Sequence, residues 1–416
     1  MREVHVDAAV VGGGAAGMAA ALEARRRGAD LCIIERDDEL GGILLQCIHN
    51  GFGLHEYKED LTGPEYAERA IRSVENAGIK ALTRTTVGEI SANGGAWELV
   101  CYSPQHGIMR ISARAVILAM GCRERNRGNI RIPGSRPAGV YTAGLVQRLV
   151  NIEGFIPGKE IVIIGSGDIG LIMARRLQWL GCRVHAVIEI MPYPSGLTRN
   201  IVQCLNDFSI PLYLSHVVSR ICGSDRVEGV DVMPLKNGAP APGSQFHIPC
   251  DTVLLSVGLI PENELSKTAG VTITPATNGP VVDATMMTSM EGIFATGNVL
   301  HVHDLVDNVT EESRLTGGFV AEYLNGSRPA RQIRVKPGSN VRYVNPSRVD
   351  PARANRLYLR PLIVKNKAEL VVRAESRQVR RVVLNHVQPS EMISITLRGH
   401  ELADVPGGAV LEVSLL

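Results

Sequence analysis

Val6-Asp7-Ala8-Ala9-Val10-Val11-Gly12-Gly13-Gly14-Ala15-Ala16-Gly17, running on to Leu31-Cys32-Ile33-Ile34-Glu35, decides how this chain is read. An apolar run enters Gly12-x-Gly14-x-x-Gly17, an Ala-rich stretch with helical spacing ends near Gly28, and a second apolar run closes on an acid 18 positions after the last glycine. That order predicts strand, tight turn, helix, strand. Gly12 makes the turn, Gly14 lets backbone N–H groups approach a pyrophosphate at the helix N-terminus, and Gly17 lets helix and strand pack closely. Glu35 is the expected acceptor for the hydroxyls of an adenosine ribose.

The pattern recurs. Ile161-Val162-Ile163-Ile164 leads into Gly165-x-Gly167-x-x-Gly170, and Val184 to Ile188 ends on Glu189. The first glycines lie 153 positions apart and the acids 154, so two nucleotides are expected. Three further apolar runs end in glycine: Ala115 to Gly121, Thr252 to Gly258, and Gly292-Ile293-Phe294-Ala295-Thr296-Gly297-Asn298. Such ends mark the carboxyl edge of a parallel sheet, where ligands bind.

Composition narrows the class. Of 416 residues 45% are apolar and 21% charged, the balance of a chain that buries sizeable cores, and the length suggests two or three domains. Glycine is abundant, 43 of 416, while Phe, Trp and Tyr number only 6, 2 and 9. Contacts through backbone are therefore expected to outweigh aromatic stacking. A formal charge of +2 disfavours nucleic-acid binding driven by global charge. No transmembrane segment is expected, since the best apolar candidate, Ala8 to Leu22, is 15 residues with four glycines. The start of the chain does not read as an export signal, and the eight cysteines stand at least 15 positions apart. Together these features predict a cytoplasmic protein with reduced thiols and no clustered-thiolate metal site.

These motifs resemble the two-dinucleotide flavoproteins of the pyridine nucleotide-disulfide oxidoreductase superfamily, over residues 1 to about 330. Gly41-Gly42-Ile43-Leu44-Leu45-Gln46-Cys47-Ile48-His49-Asn50-Gly51-Phe52-Gly53 is similar, more narrowly, to the NADH-oxidase-type flavoprotein that accompanies anaerobic glycerol-3-phosphate dehydrogenases. The resemblance implies an α/β fold: two Rossmann-like FAD/NAD(P)-binding domains, the second inserted in the first, and a small β-rich C-terminal domain. The expected boundaries are 1–155 and 276–330 for FAD, 156–275 for NAD(H), and 335–416 for the remainder. Cofactor contacts are expected at Gly12, Gly14, Ala15, Ala16, Gly17, Glu35, Arg36, Gly42, Val87, Ala119, Gly121, Gly297 and Asn298 for FAD. Those for NADH are Gly165, Gly167, Asp168, Ile169, Gly170, Glu189 and Gly258. Glu189 followed by Ile190-Met191-Pro192-Tyr193 favours NADH over NADPH, because the acid repels a 2′-phosphate and no adjacent Arg holds one.

Where disulfide reductases carry two cysteines after the Gly-Gly, this chain has Leu44 and His49, so no redox disulfide is expected there. Gly297-Asn298 replaces the family's usual Gly-Asp. Cys47 and His49 are the candidate catalytic residues, as a redox thiolate and a proton donor; the alternatives are a small packing residue and a loop histidine bound to backbone. His55 shares that loop. His301-x-His303-Asp304 superficially suggests a metal site, but flavin contacts or a helix start fit as well, and no metal is expected. The stretch from Asp307 to Ser313 opens a helix whose dipole would favour negative charge on a reduced flavin.

After Gly326 prolines punctuate the chain, and Leu370 to Val372, Val379 to Leu384, Ile393 to Leu397 and Ala409 to Val413 read as strands. Arg331 to Arg381 holds 14 basic residues against 3 acidic ones. This block is read as a docking face for another flavoprotein or dehydrogenase subunit, with a solvated surface as the alternative. The leading expectation is an FAD-dependent NAD(P)H oxidoreductase that exchanges electrons with a partner dehydrogenase. A self-contained NADH oxidase or peroxidase using Cys47 and a flavin-bound scaffold are the competing readings.

Overall fold

The computed structural model describes residues 2–241, 243–406 and 408–416. It divides into two compact units, residues 1–122 with 261–416, and residues 123–260.

In the first unit Arg2–Val11, whose last four residues are all buried, lies between Leu31–Ile34 and Gly107–Leu118, parallel to both. Lys80–Leu82 extends the sheet in parallel on one side, and Ile293–Ala295 pairs in parallel with the end of Gly107–Leu118. Unbroken apolar runs such as Leu31-Cys32-Ile33-Ile34 suit such central strands, which are covered on both faces. Gly107–Leu118 is 12 residues long because it serves two partners: its first half pairs antiparallel with Ala96–Ser103, which continues to Thr86–Asn93. The parallel strands end in register at Val11, Ile34, Leu118 and Ala295. That common edge collects the Gly12 turn, Gly121 and Gly297.

The Ala-rich helix Ala15–Arg26 buries Met18, Ala20, Ala21 and Ala24. It meets the helix Val306–Leu324 so closely that a Cβ on Gly317 would stand 2.2 Å from the Ala20 carbonyl oxygen. Small residues on both helices permit this approach.

The second unit is a parallel sheet in the order Val140–Thr142, Thr252–Leu255, Glu160–Ile164, Arg183–Ile188, Leu212–Tyr213. An antiparallel sheet of His216–Cys222, Gly229–Lys236 and Phe246–Pro249 follows within it. The chain enters this unit earlier than the boundary expected near 155, and leaves it before 275. Val140-Tyr141-Thr142 pairs with Val253-Leu254-Leu255, so this short strand and the helix Ala143–Asn151 belong with the second fingerprint.

The C-terminal region is β-rich, built from a five-stranded and a three-stranded sheet over one core that includes Leu357, Leu359, Leu370, Leu411 and Val413. Each such fully buried side chain contributes ~1.5–3 kcal/mol. The strands extend beyond the apolar runs: Lys365–Ala374 pairs with Arg377–Val387, and Ile333–Pro337, Val341–Asn345 and Asn355–Pro361 precede them. It groups with the first unit, to which it is tied by Ser347 N–H donating to the Val282 carbonyl at 3.1 Å and by Arg360 paired with Asp304 at 2.8 Å.

Half of the block's 14 cations are paired within the chain, Arg360 with Asp304 among them. Lys336 pairs with Glu412, Arg353 with Glu322 and Asp350, Arg356 with Glu311, Arg377 with Asp404, Arg380 with Glu401, and Arg381 with Glu369. Most of these acids lie outside the block, so counting charge along the sequence overstates the positive surface. Among the described residues, no helix is long and apolar enough to cross a membrane.

Candidate nucleotide sites

The two fingerprints fold into the same local device. Gly12 adopts φ +107° and Gly165 φ +90°, conformations open to glycine. Glu35 accepts from Gly13 N–H at 2.7 Å and, through its other oxygen, from Asp37 N–H at 2.9 Å. Glu189 repeats this on Ser166 N–H at 2.9 Å and Met191 N–H at 2.8 Å, with the Ser166 and Ser195 hydroxyls donating as well. Each acid therefore clamps its own glycine turn to the end of the next strand. Spacing alone does not reveal this clamping.

The space before the helix of the first fingerprint is open. A Cβ at Gly14 would meet no atom within 4 Å, so this Cα faces open room at the start of Ala15–Arg26, whose first turn carries no acid. Free N–H groups at a helix N-terminus and a backbone without side chains form an anion site. Gly42 borders the same room, its missing Cβ 3.3 Å from the Gly14 Cα. Ala15 is half-buried, whereas Ala16 and Ala119 are buried. Arg36 is exposed. Val87 packs its side chain into the core, which leaves only its backbone for a ligand.

In the second unit Gly165 abuts the strand end at Ser256, and Ser256 Oγ accepts from Gly170 N–H at 3.1 Å. Ser256 is a turn-stabilising residue that the glycine pattern does not signal. Asp168 is committed locally, accepting from Leu197 N–H at 2.8 Å and Asn200 Nδ2 at 2.7 Å. Ile169 is half-buried and Gly258 exposed, with φ +96°.

Cys47 ends the short 3-10 turn Gly42–Gln46, where its Sγ donates to the Ile43 carbonyl at 3.2 Å. Its own carbonyl accepts from Gly63 N–H at 2.9 Å, which seats the turn on the helix Gly63–Asn76. His49 is half-buried, with Nδ1 2.9 Å from the Asn50 carbonyl oxygen and its ring against Phe52. His55 is exposed. The loop is tethered to the helix Val306–Leu324 by buried Asp307, which accepts from Gly53 N–H at 3.3 Å and Glu56 N–H at 2.8 Å. No disulfide joins any of the eight cysteines. Burial pushes Cys32, Cys101 and Cys250 up to about 12, so they are not thiolates at neutral pH.

Past the third glycine strand, Asn298 Oδ1 accepts from His303 N–H at 3.0 Å, and Gly297 N–H donates to Glu312 at 2.8 Å. Asp304, the flanking acid in the sequence pattern, turns to Arg360. Glu312 instead joins His301 and His303, although the sequence showed it only as part of a helix start. Burial opposes the charge on Glu312, but the two imidazoles outweigh it and hold the carboxyl well below the usual carboxylate range.

Comparison with known proteins agrees with this architecture. Residues 6–313 match the family described as pyridine nucleotide-disulphide oxidoreductase. An opine oxidase subunit of Rhizobium meliloti is 26% identical over 319 residues, covering 72% of this chain and 59% of that protein. The small chain of an NADPH glutamate synthase from Mycobacterium tuberculosis is 27% identical over 365 residues, 79% of this chain and 69% of that one. Thioredoxin reductase of T. acidophilum shares the fold with a TM-score of 0.64 at 23% identity, over 77% of this chain and 98% of that one. The chain spans about three fifths of the length of the opine oxidase and hydrogen cyanide synthase subunits that it matches.

Proposed function

Because the chain belongs to the pyridine nucleotide-disulphide oxidoreductase family, whose members bind FAD and NAD(P)H, we propose that it carries hydride between NADH and FAD and exchanges electrons with a partner dehydrogenase subunit. The observation that carries this reading is the duplicated clamp: Glu35 on Gly13 in one unit and Glu189 on Ser166 in the other.

FAD, when bound, supplies the hydride-accepting chemistry. The protein's part is to hold and align. In the proposed assignment the Gly12-x-Gly14-x-x-Gly17 turn and the N-terminus of Ala15–Arg26 hold the flavin nucleotide's pyrophosphate, with Gly42 at its border. Asp307 fixes the loop from Gly53 to Glu56, and Asn298 meets the ribityl chain without adding charge. Gly165, Gly167 and Gly170 hold the second pyrophosphate, and Glu189, fixed by four donors, disfavours a 2′-phosphate. The NADPH in the glutamate synthase relative's name does not carry over to this chain.

Relatives named as subunits or a small chain support a partner. Its docking face narrows to the exposed Arg334, Arg342, Arg348, Lys365, Lys367 and Arg373, since many of the other cations pair internally. A glycerol 3-phosphate dehydrogenase as that partner rests on the similarity of the segment from Gly41 to Gly53.

The bond of Cys47 to Ile43 and its place on Gly63 support a packing role over a redox one. Cys47→Ser is expected to keep NADH-dependent reduction of an artificial acceptor, and any peroxide-dependent NADH oxidation, within about twofold of wild type. Loss of the peroxide-dependent rate alone, by about tenfold or more, would establish the peroxidase reading instead.

A further inference from the structure

Just past the Gly297-Asn298 turn, three side chains with metal-ligand chemistry converge. His301 and His303 stand two residues apart in a non-helical segment, and Glu312 lies in the helix Val306–Leu324. One donor atom from each falls within 4.8 Å of the others, and the three side chains are 1%, 0% and 1% exposed. His301 Nε2 is 2.7 Å from Glu312 Oε2, and His303 Nε2 is 3.3 Å from Glu312 Oε1. Four-coordinate bonds of about 2.0–2.2 Å place neighbouring donors about 3.3 Å apart. The His303 contact has that spacing, and the His301 contact needs to open by about half an ångström.

The decisive feature is His303. Its side chain is sealed from solvent, yet its Nε2 meets Glu312 Oε1 at 3.3 Å without hydrogen-bond alignment, and its Nδ1 has no hydrogen-bond partner among the described residues. A buried polar group without a good partner costs about 1–3 kcal/mol, and an ion on Nε2 would replace this poorly aligned contact with a coordinate bond. The surroundings are ordered as an outer shell should be. His303 N–H is held by Asn298, Glu312 by Gly297 N–H, and His301 Nδ1 faces the Tyr343 hydroxyl at 3.4 Å.

We propose that His301, His303 and Glu312 bind one divalent transition-metal ion of the zinc class. Two imidazoles and one carboxylate suit Zn2+, Fe2+ or Co2+, whereas Mg2+ and Ca2+ demand a shell of oxygens. The ion would join the Gly297 turn to the helix and, through Tyr343, to the β-rich domain. The sequence pattern offers Asp304 as the acid beside the two histidines, whereas the third ligand of the proposed site is Glu312, from the helix.

Metal analysis of full-length holoprotein produced with added Zn2+ and dialysed free of excess is expected to give about one ion per chain. His303→Ala and Glu312→Gln should retain at most about a tenth of that content. Should a variant fail to fold, the wild type carries the test. Chelator-stripped holoprotein titrated with Co2+ should develop ligand-field bands at wavelengths beyond the flavin absorption, and its thermal midpoint should rise with added Zn2+. Wild type without bound metal, Co2+ bands or a Zn2+-dependent shift would overturn the site, as would folded variants that keep the ion. Flavin content, read in the same samples, tests the nucleotide assignment separately.

Discussion

Gly17→Ala is expected to yield protein without bound flavin and with its stability lowered by roughly 3 kcal/mol or more. The added methyl would lie 1.8 Å from the Gly12 carbonyl oxygen and 3.2 Å from Val10 Cγ1. Relief would require moving backbone, because Gly12 is itself wedged against Ala119, where a Cβ would come within 2.4 Å of the carbonyl oxygen. Gly14→Val provides the contrast. No atom stands within 4 Å of that Cβ position, so the fold should survive while the side chain fills the space assigned to phosphate. FAD-to-protein ratios and urea unfolding of both variants separate the effects. Normal flavin content in Gly14→Val would refute the phosphate assignment, and unchanged stability in Gly17→Ala would refute the close-packing account.

The second large effect is expected at Gly165. Alanine there must adopt φ near +90° with its methyl 2.1 Å from the Ser256 carbonyl oxygen, and Ser256 also supports Gly170. Gly165 belongs to the unit 123–260, whereas the first fingerprint belongs to the other unit. Gly165→Ala should therefore retain flavin while its apparent affinity for NADH falls about a hundredfold, some 2.8 kcal/mol. Rapid-mixing reduction at varied NADH reads this directly. Flavin lost along with NADH would show that the two fingerprints do not act separately.

The contrast between these glycines shows what is legible in sequence. A tight turn between an apolar run and a helix has few solutions, so both glycine triplets are legible in the sequence. The clamping by Glu35 and Glu189 is not legible in sequence, because a carboxylate at the end of a strand looks alike whether it faces a ribose or a backbone amide. Val140-Tyr141-Thr142 is not legible as a strand in sequence because three residues carry no periodicity. Glu312 is equally hidden because its partners lie 9 and 11 residues back, at no regular spacing. In the C-terminal strands, arginine after arginine read as one basic face. Pairing sorts these residues by partner instead: Arg360 with Asp304, Arg356 with Glu311, Arg380 with Glu401.

The central claim is hydride exchange between the two nucleotides, and anaerobic mixing of the FAD-loaded protein with NADH tests it most directly. The account predicts that the oxidised flavin absorbance bleaches on a timescale of about milliseconds to seconds, faster with NADH than with NADPH at equal concentration. A flavin that stays oxidised with either nucleotide would contradict it and leave only a flavin-bound scaffold.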